Sequence, residues 1–271
     1  MSASIYYFSG TGNSYMIAKT MGENLGVAKL LNIASNKNHV SDRTKIIGVV
    51  FPLYYFGLPV IVEEFFTQLE IPSDTYVFII VTRGHTFAGG AKRQLDKVFS
   101  EKDRTYNFFR YITMGDNFPF YMFNPSDKKV STARNQRAVK RVASIASTIR
   151  MRKDSKVFSI LDYSPFPAIT LRLPRFGYKH FLQIREQDVC FEVDEAICNG
   201  CKKCVRACPV GNVRHDTKIE WKHENCQMCL ACYNCCPQNA IQYIDPSNKV
   251  NTKGKRQHWN FGTGEGGQNS L

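Results

Sequence analysis

Ten cysteines occur in the 271 residues, and eight of them form two copies of one spacing. The first is Cys198-x2-Cys201-x2-Cys204-x3-Cys208-Pro209, and the second is Cys226-x2-Cys229-x2-Cys232-x3-Cys236-Pro237. Three thiolates two residues apart can wrap one iron–sulfur cubane and bind three of its irons. The fourth cysteine starts the next segment and points to the other cluster. The spacing therefore predicts two [4Fe–4S] clusters with crossed ligation. One takes Cys198, Cys201, Cys204 and Cys236, and the other takes Cys226, Cys229, Cys232 and Cys208. Each following proline keeps the backbone from closing back on its own cluster. Zinc modules use paired knuckles to close a four-ligand site and need no third cysteine at the same interval. Disulfides need an oxidising compartment, and no secretory pattern opens this sequence. Cys190 and Cys235 stand out of frame and read as structural thiols. Pro237 favours Cys236 over its neighbour Cys235 as the ligand.

A second constellation lies near the N-terminus. Ser9-Gly10-Thr11-Gly12-Asn13-Ser14 runs straight from an apolar strand into a helical pattern. Glycines let backbone curl around an anion, and a helix N-terminus offers free N–H groups with a favourable dipole. Ser9, Thr11 and Ser14 add hydroxyls, and Asn13 adds an amide. No lysine follows, which excludes the nucleoside triphosphatase loop, and Tyr15 stands where the dinucleotide fingerprint needs its third glycine. A phosphate loop without lysine fits a monophosphate such as that of FMN. Ordinary helix capping by the same residue types is the competing reading.

Positioning these loops needs an alternating scaffold. Apolar patterns predict strands over Ile5–Phe8, Ala28–Ile33, Ile46–Phe51, Tyr76–Thr82 and Phe108–Thr113. Helical periodicity marks Ser14–Leu25, Val60–Leu69 and Ala91–Phe99 between them. A further helix over Val130–Arg152 places Val139, Val142, Ala146 and Ile149 on one face. The fold class expected is α/β: a doubly wound parallel sheet of five strands, then a small α+β two-cluster domain. Such sheets bind ligands beyond the carboxyl ends of their strands. The expected domains are 1–155 for the sheet, 156–187 for an ordered aromatic and proline-containing connector, 188–248 for the clusters and 249–271 for a disordered tail.

The segment Phe8-Ser9-Gly10-Thr11-Gly12-Asn13-Ser14 resembles the FMN-phosphate loop of flavodoxins. The two cysteine runs are similar to those of bacterial-type ferredoxins. The whole chain resembles the family of flavodoxin–ferredoxin fusions, with the first match over about residues 1–150 and the second over about 190–245. The resemblance implies FMN in the first domain and two [4Fe–4S] clusters in the second. It also implies that two more loops hold the flavin ring. One carries Tyr54, Tyr55, Phe56 and Gly57, where an aromatic ring could stack and a glycine peptide could turn toward the flavin. The other carries Thr82, Arg83, Gly84, His85 and Gly89. The chain departs from short-chain flavodoxins in lacking their Gly-x-Gly-Asp motif in that second loop.

Charge and composition narrow the function classes. The net charge is +13, and 43% of residues are hydrophobic. Residues 130–185 hold twelve Lys/Arg against Asp154 and Asp162, whereas residues 186–245 hold six against nine Asp/Glu. A basic segment beside an acidic redox module reads first as a solvated helix face, and next as a docking surface for an acidic redox protein or for the chain's own cluster module. No nucleic-acid motif accompanies it, so no nucleic-acid partner is expected. The longest apolar stretch, Ile46–Val62, is broken by Pro52, Gly57 and Pro59 and predicts no membrane span. The expected location is the cytoplasm. No nucleophile–base–orienter set is evident. An electron-transfer flavoprotein is therefore the first expectation. An FMN-dependent oxidoreductase acting on a nicotinamide or small substrate, and a redox-sensing regulator, are the alternatives.

Overall fold

A computed structural model describes residues 3–27, 29–35, 44–86, 90–118, 128–157, 191–222 and 225–243. The first part of the chain alternates strand and helix: β1 (Ala3–Tyr7), α1 (Asn13–Leu25), β2 (Lys29–Asn32), β3 (Ile46–Pro52), α2 (Val60–Gln68), β4 (Tyr76–Arg83), α3 (Ala91–Glu101), β5 (Phe108–Thr113), α4 (Lys128–Arg150) and β6 (Ser155–Lys156). All pairings in this sheet are parallel, in the order β2-β1-β3-β4-β5-β6. Its first five strands follow the 2-1-3-4-5 order of the flavodoxin-like fold, with the switch point between β1 and β3. The sheet thus has six strands rather than the expected five. The sixth holds only two residues, Ser155 and Lys156, too few to show an apolar pattern.

Period-two side-chain alternation divides the core into two layers. Tyr6, Phe8, Val49, Phe51, Val77, Ile79, Val81 and Phe109 pack with Val62, Phe65 and Phe66 of α2 and Leu95 and Phe99 of α3. Ile5, Val50, Phe78, Ile80, Phe108 and Ile112 face the other way, against Ile17 and Met21 of α1 and Val142, Ile145, Ala146 and Ile149 of α4. Strands β3 and β4 lie inside the sheet and are covered on both sides. They therefore read as continuous apolar runs. Along α4 the buried positions are Ser131, Asn135, Ala138, Val142, Ile145, Ala146 and Ile149. Ala138 and Ile145 thus belong to the inward stripe, while Val139 is only half-buried. Arg137, Lys140 and Arg141 are exposed.

The cysteine-rich part contains β7 (Phe191–Val193), α5 (Lys203–Ala207), β8 (Val213–His215), β9 (Ile219–Trp221), α6 (Ala231–Cys235) and β10 (Ile241–Tyr243). Strands β7 and β10 pair antiparallel, as do β8 and β9. Their core, with Phe191, Trp221, Met228, Leu230, Tyr233 and Tyr243, also receives Tyr55, Val60 and Phe118 from the sheet domain. Cys190, Gly89, most of the expected connector and the expected C-terminal tail lie outside the described residues. Among the described residues no helix is long and apolar enough to cross a membrane.

Candidate cofactor sites

A cleft of about 290 Å3 opens at the carboxyl ends of β1, β3, β4 and β5. Ser9, Gly10, Thr11, Asn13 and Ser14 line one end, where β1 passes into α1. Gly12 takes a left-handed φ of 96° at the N-cap, and no side chain caps the helix. The Ser9 Oγ instead accepts the Gly12 N–H at 3.1 Å, which tightens the loop before the helix begins. An uncapped helix start beside small hydroxyl residues suits an anionic phosphate. The Ser14 and Thr82 hydroxyls meet at 2.8 Å and tie this loop to β4. The Asn117 amide donates to the Thr11 hydroxyl.

The other walls come from three more strand ends. After β3, Tyr54 and Gly57 close a two-residue turn through backbone bonds of 3.1 and 2.8 Å. Tyr55 and Phe56 occupy its centre with φ of 47° and 64°. Two consecutive non-glycine residues in the left-handed region cost of order 1–3 kcal/mol each. Strain of that kind collects at ligand sites, and here it holds both rings at the cleft. Gly57 itself does not line the cleft. Its N–H is bound to the Tyr54 carbonyl, so a turn of that peptide toward a flavin would break the bridge.

Arg83, Gly84 and His85 follow β4 into the lining. The Arg83 guanidinium sits 4.4 Å over the Tyr111 ring, and His85 Nε2 lies 2.9 Å from an Asp116 carboxylate oxygen. Met114, Gly115, Asp116, Asn117 and Phe118, after β5, also line the cleft, at a strand end that no sequence motif marks. Helix α4 anchors these loops. Asn135 Oδ1 accepts the Gly115 N–H at 2.9 Å, and Arg134 donates to the Gly84 carbonyl at 3.2 Å. The Asn13 amide holds Gly115 from the opposite side at 3.0 Å.

The cysteines gather into two quartets across the two runs. Cys198, Cys201, Cys204 and Cys236 line one space, and Cys208, Cys226, Cys229 and Cys232 line another. Among the described residues no group of three His, Cys, Asp or Glu side chains is placed to hold a single metal ion. The fourth member of each quartet is held alike. Cys208 Sγ accepts the Asn212 N–H at 3.1 Å, and Cys236 Sγ accepts the Ala240 N–H at 3.2 Å. Cys235 differs, because its Sγ donates to the Cys232 carbonyl at 3.3 Å.

Burial pushes the Cys204 thiol up to about 11, and also pushes Cys229 and Cys232 well above the ordinary thiol value. Neighbouring thiols of the same quartet add to the rise, so bound iron must displace protons and supply the compensating charge. The buried Trp221 indole N–H has no ordinary hydrogen bond and favours the thiolate form of Cys232. Burial and then the nearby Cys204 and Cys236 thiols raise Cys235 to about 12, which keeps it a neutral donor.

The two sites share a wall. Met228, Cys229, Leu230 and Tyr243 line the cleft beside Gly10 and Tyr54. A Cβ on Gly10 would lie 2.6 Å from the Cys229 carbonyl oxygen and 2.7 Å from the Cys229 Cβ. The Tyr54 hydroxyl stays protonated because burial, then Cys229 and Cys226, raise its pKa. The Gln227 side chain accepts the Ile61 N–H at 3.1 Å, and the Asn234 amide donates to the Asn117 carbonyl at 3.4 Å. Tyr55 and Tyr243 bring their hydroxyls within 3.4 Å of each other.

Comparison with known proteins agrees with this division. Residues 190–237 match a 4Fe–4S dicluster domain family. A ferredoxin of Methanothermococcus thermolithotrophicus is 36% identical over 53 residues, which cover 18% of this chain and 88% of that protein. One subunit of an ion-translocating oxidoreductase complex from Methanosarcina acetivorans is 45% identical over 51 residues. That match covers 18% of this chain and only 19% of the length of that protein. A solved flavodoxin from the domain Archaea matches 55% of this chain and 99% of its own at 15% identity, with a TM-score of 0.37. The flavodoxin-like assignment of the first domain rests on its own strand order.

Proposed function

We propose, for a chain that belongs through residues 190–237 to the 4Fe–4S dicluster ferredoxin family and joins it to a flavodoxin-like sheet, electron transfer between a bound FMN and two [4Fe–4S] clusters. The contact of Cys229 with Gly10 carries this reading, because it puts a cluster-type cysteine in the wall of the phosphate-loop cleft. FMN exchanges electrons singly or in pairs, whereas each cluster moves one, so the pair converts between the two modes. Gly10, Thr11 and the start of α1 would hold the phosphate, and Tyr54, Tyr55 and Phe56 would hold the ring. Thr82, Arg83 and Gly84 would border it. Cys198, Cys201, Cys204 and Cys236 would hold one cluster, and Cys226, Cys229, Cys232 and Cys208 the other.

Protein purified without oxygen is expected to carry about eight iron and eight sulfide per chain, given two cubanes, together with one FMN. Iron, sulfide and flavin analysis checks this. A tightly bound zinc with no iron uptake on reconstitution would overturn the cluster half, and absence of flavin uptake would overturn the other.

The His85–Asp116 pair in the same cleft favours a second reading, reduction of a small substrate over the flavin. Anaerobic oxidation of NADH or NADPH, followed at the flavin absorbance, separates the two. Electron carriage alone predicts no nicotinamide turnover.

A further inference from the structure

The two cysteine loops are the same structure displaced by 28 residues, yet they carry opposite surfaces. Gly200 and Met228 take φ of 66° and 50°, and Lys202 and Leu230 take 57° and 59°. Cys208 and Cys236 both leave their short helices at φ near −70° and ψ near 111°. Their sulfurs accept N–H groups from equivalent residues, Asn212 and Ala240. What differs is what each loop meets. In the second loop Gln227, Met228, Leu230 and Ala231 are buried. Met228 and Leu230 line the sheet domain's cleft, and Gln227 accepts the Ile61 N–H beside it. In the first loop Asn199, Lys202 and Lys203 are exposed, and so is Ile197 just before it, at 44%.

The charge follows the same division. Lys202, Lys203 and Arg206 lie between Cys198 and Cys208 with no Asp or Glu among them, and no charged residue lies between Cys226 and Cys236. Lys202 and Lys203 border the space enclosed by the first quartet, and Arg206 donates to the Cys201 carbonyl. Glu195, exposed in the preceding turn, is the nearest anionic residue in sequence.

Resting on the electron-transfer reading above, we propose that the outward face of the first cysteine loop, Ile197 with Lys202 and Lys203, docks an acidic one-electron carrier protein. The second cluster then stands between that port and the flavin. The carrier loses one electron at each docking, and the first cluster gains it. Two dockings, with two protons from solvent, supply what FMN needs to become FMNH2. Opposite charges at the contact raise the encounter rate and make it fall with salt. One exposed apolar side chain and two exposed lysines within seven residues of chain suit a brief contact rather than a permanent one.

The test uses the anaerobic holoprotein and a reduced, acidic two-cluster ferredoxin as probe. Carbodiimide joins carboxylates to lysine amines in direct contact, and peptide mass spectrometry then locates the bonds. Bonds at Lys202 and Lys203 are expected at low salt and are expected to vanish at high salt. The double variant Lys202→Glu, Lys203→Glu should slow cluster reduction by the ferredoxin about tenfold or more at low salt, where the Debye length is long. Its reduction by a neutral photogenerated deazaflavin radical should match the parent. Bonds confined to Lys129 or Lys140 of α4, or a variant rate within about twofold of the parent when screening is weak, would overturn the proposal. If the variant loses iron, the cross-link map of the parent protein decides alone. Failure of the deazaflavin radical to reduce FMN through the clusters would instead strike the underlying reading, whatever the cross-links show.

Discussion

Cys208→Ser is expected to damage the cluster of the second cysteine loop and spare that of the first, although Cys208 belongs to the first run. The Cys208 sulfur shares its space with Cys226, Cys229 and Cys232, not with Cys198 or Cys201. A hard hydroxyl replaces a soft thiolate there, at a half-buried position. Iron should fall from about eight toward about four per chain, as expected for loss of one of two cubanes. Paramagnetic resonance of the reduced protein should resemble that of Cys229→Ser and differ from that of Cys201→Ser. Because the lost cluster is the one whose cysteine lines the flavin cleft, electrons given to the remaining cluster should no longer reach FMN. No atom of Cys208 lines the cleft, so any fall in flavin content would come through Met228, Cys229 and Leu230 of the second loop. Loss of the first-loop cluster in this variant would show that each run ligates its own cubane, and crossed ligation would be wrong.

Much of this arrangement is legible in the sequence because it depends on local chemistry. Residue spacing names the eight cysteines, and the structure sorts them by packing into two crossed groups. Apolar runs locate β3 and β4 to within a residue, because central parallel strands are buried on both faces. The β5 end escapes notice as a cleft wall although its sequence holds the signal. Met114 to Phe118 follow a strand of the same sheet, and the strand-end rule applies to β5 as much as to β3. Gly57 misleads because glycine is the usual marker of positive φ, which Tyr55 and Phe56 adopt instead. The contact between the two modules is not readable from periodicity at all. It depends on side chains more than 160 residues apart in sequence, such as Gln227 on Ile61 and Tyr243 on Tyr55. Its trace is compositional. The loop turned inward replaces Lys202 and Lys203 with Leu230 and Ala231 while keeping the same backbone, because desolvating an ammonium against a protein wall is unfavourable.

Gly10→Ala is expected to weaken FMN binding while leaving both clusters loaded. The added carbon would stand 2.6 Å from the Cys229 carbonyl oxygen, 2.7 Å from the Cys229 Cβ and 2.9 Å from the Tyr54 hydroxyl oxygen. Two of these neighbours are a backbone oxygen and the first side-chain carbon of a cluster-type cysteine, so neither can swing aside. Either the phosphate loop retreats or the second cysteine loop lifts from the cleft. Overpacking of this kind costs typically 1–3 kcal/mol. If that cost falls on the bound state, affinity drops by roughly five- to 150-fold at 1.4 kcal/mol per factor of ten. Gly22→Ala, in the α1 helix that follows this loop, is the matching control. Its added carbon would find nothing nearer than 3.7 Å, at the Val27 carbonyl oxygen. Relief of glycine's conformational freedom there should raise stability by roughly 0.5–1 kcal/mol. Flavin fluorescence titration of the two variants, with iron analysis of each, makes the comparison. Backbone hydrogen exchange then shows whether residues 226–232 loosen in Gly10→Ala alone. A Gly10→Ala protein that binds FMN like the parent, with unchanged exchange in that loop, would mean that the two modules do not meet at the phosphate loop. The route from the second cluster to the flavin would then have to be abandoned.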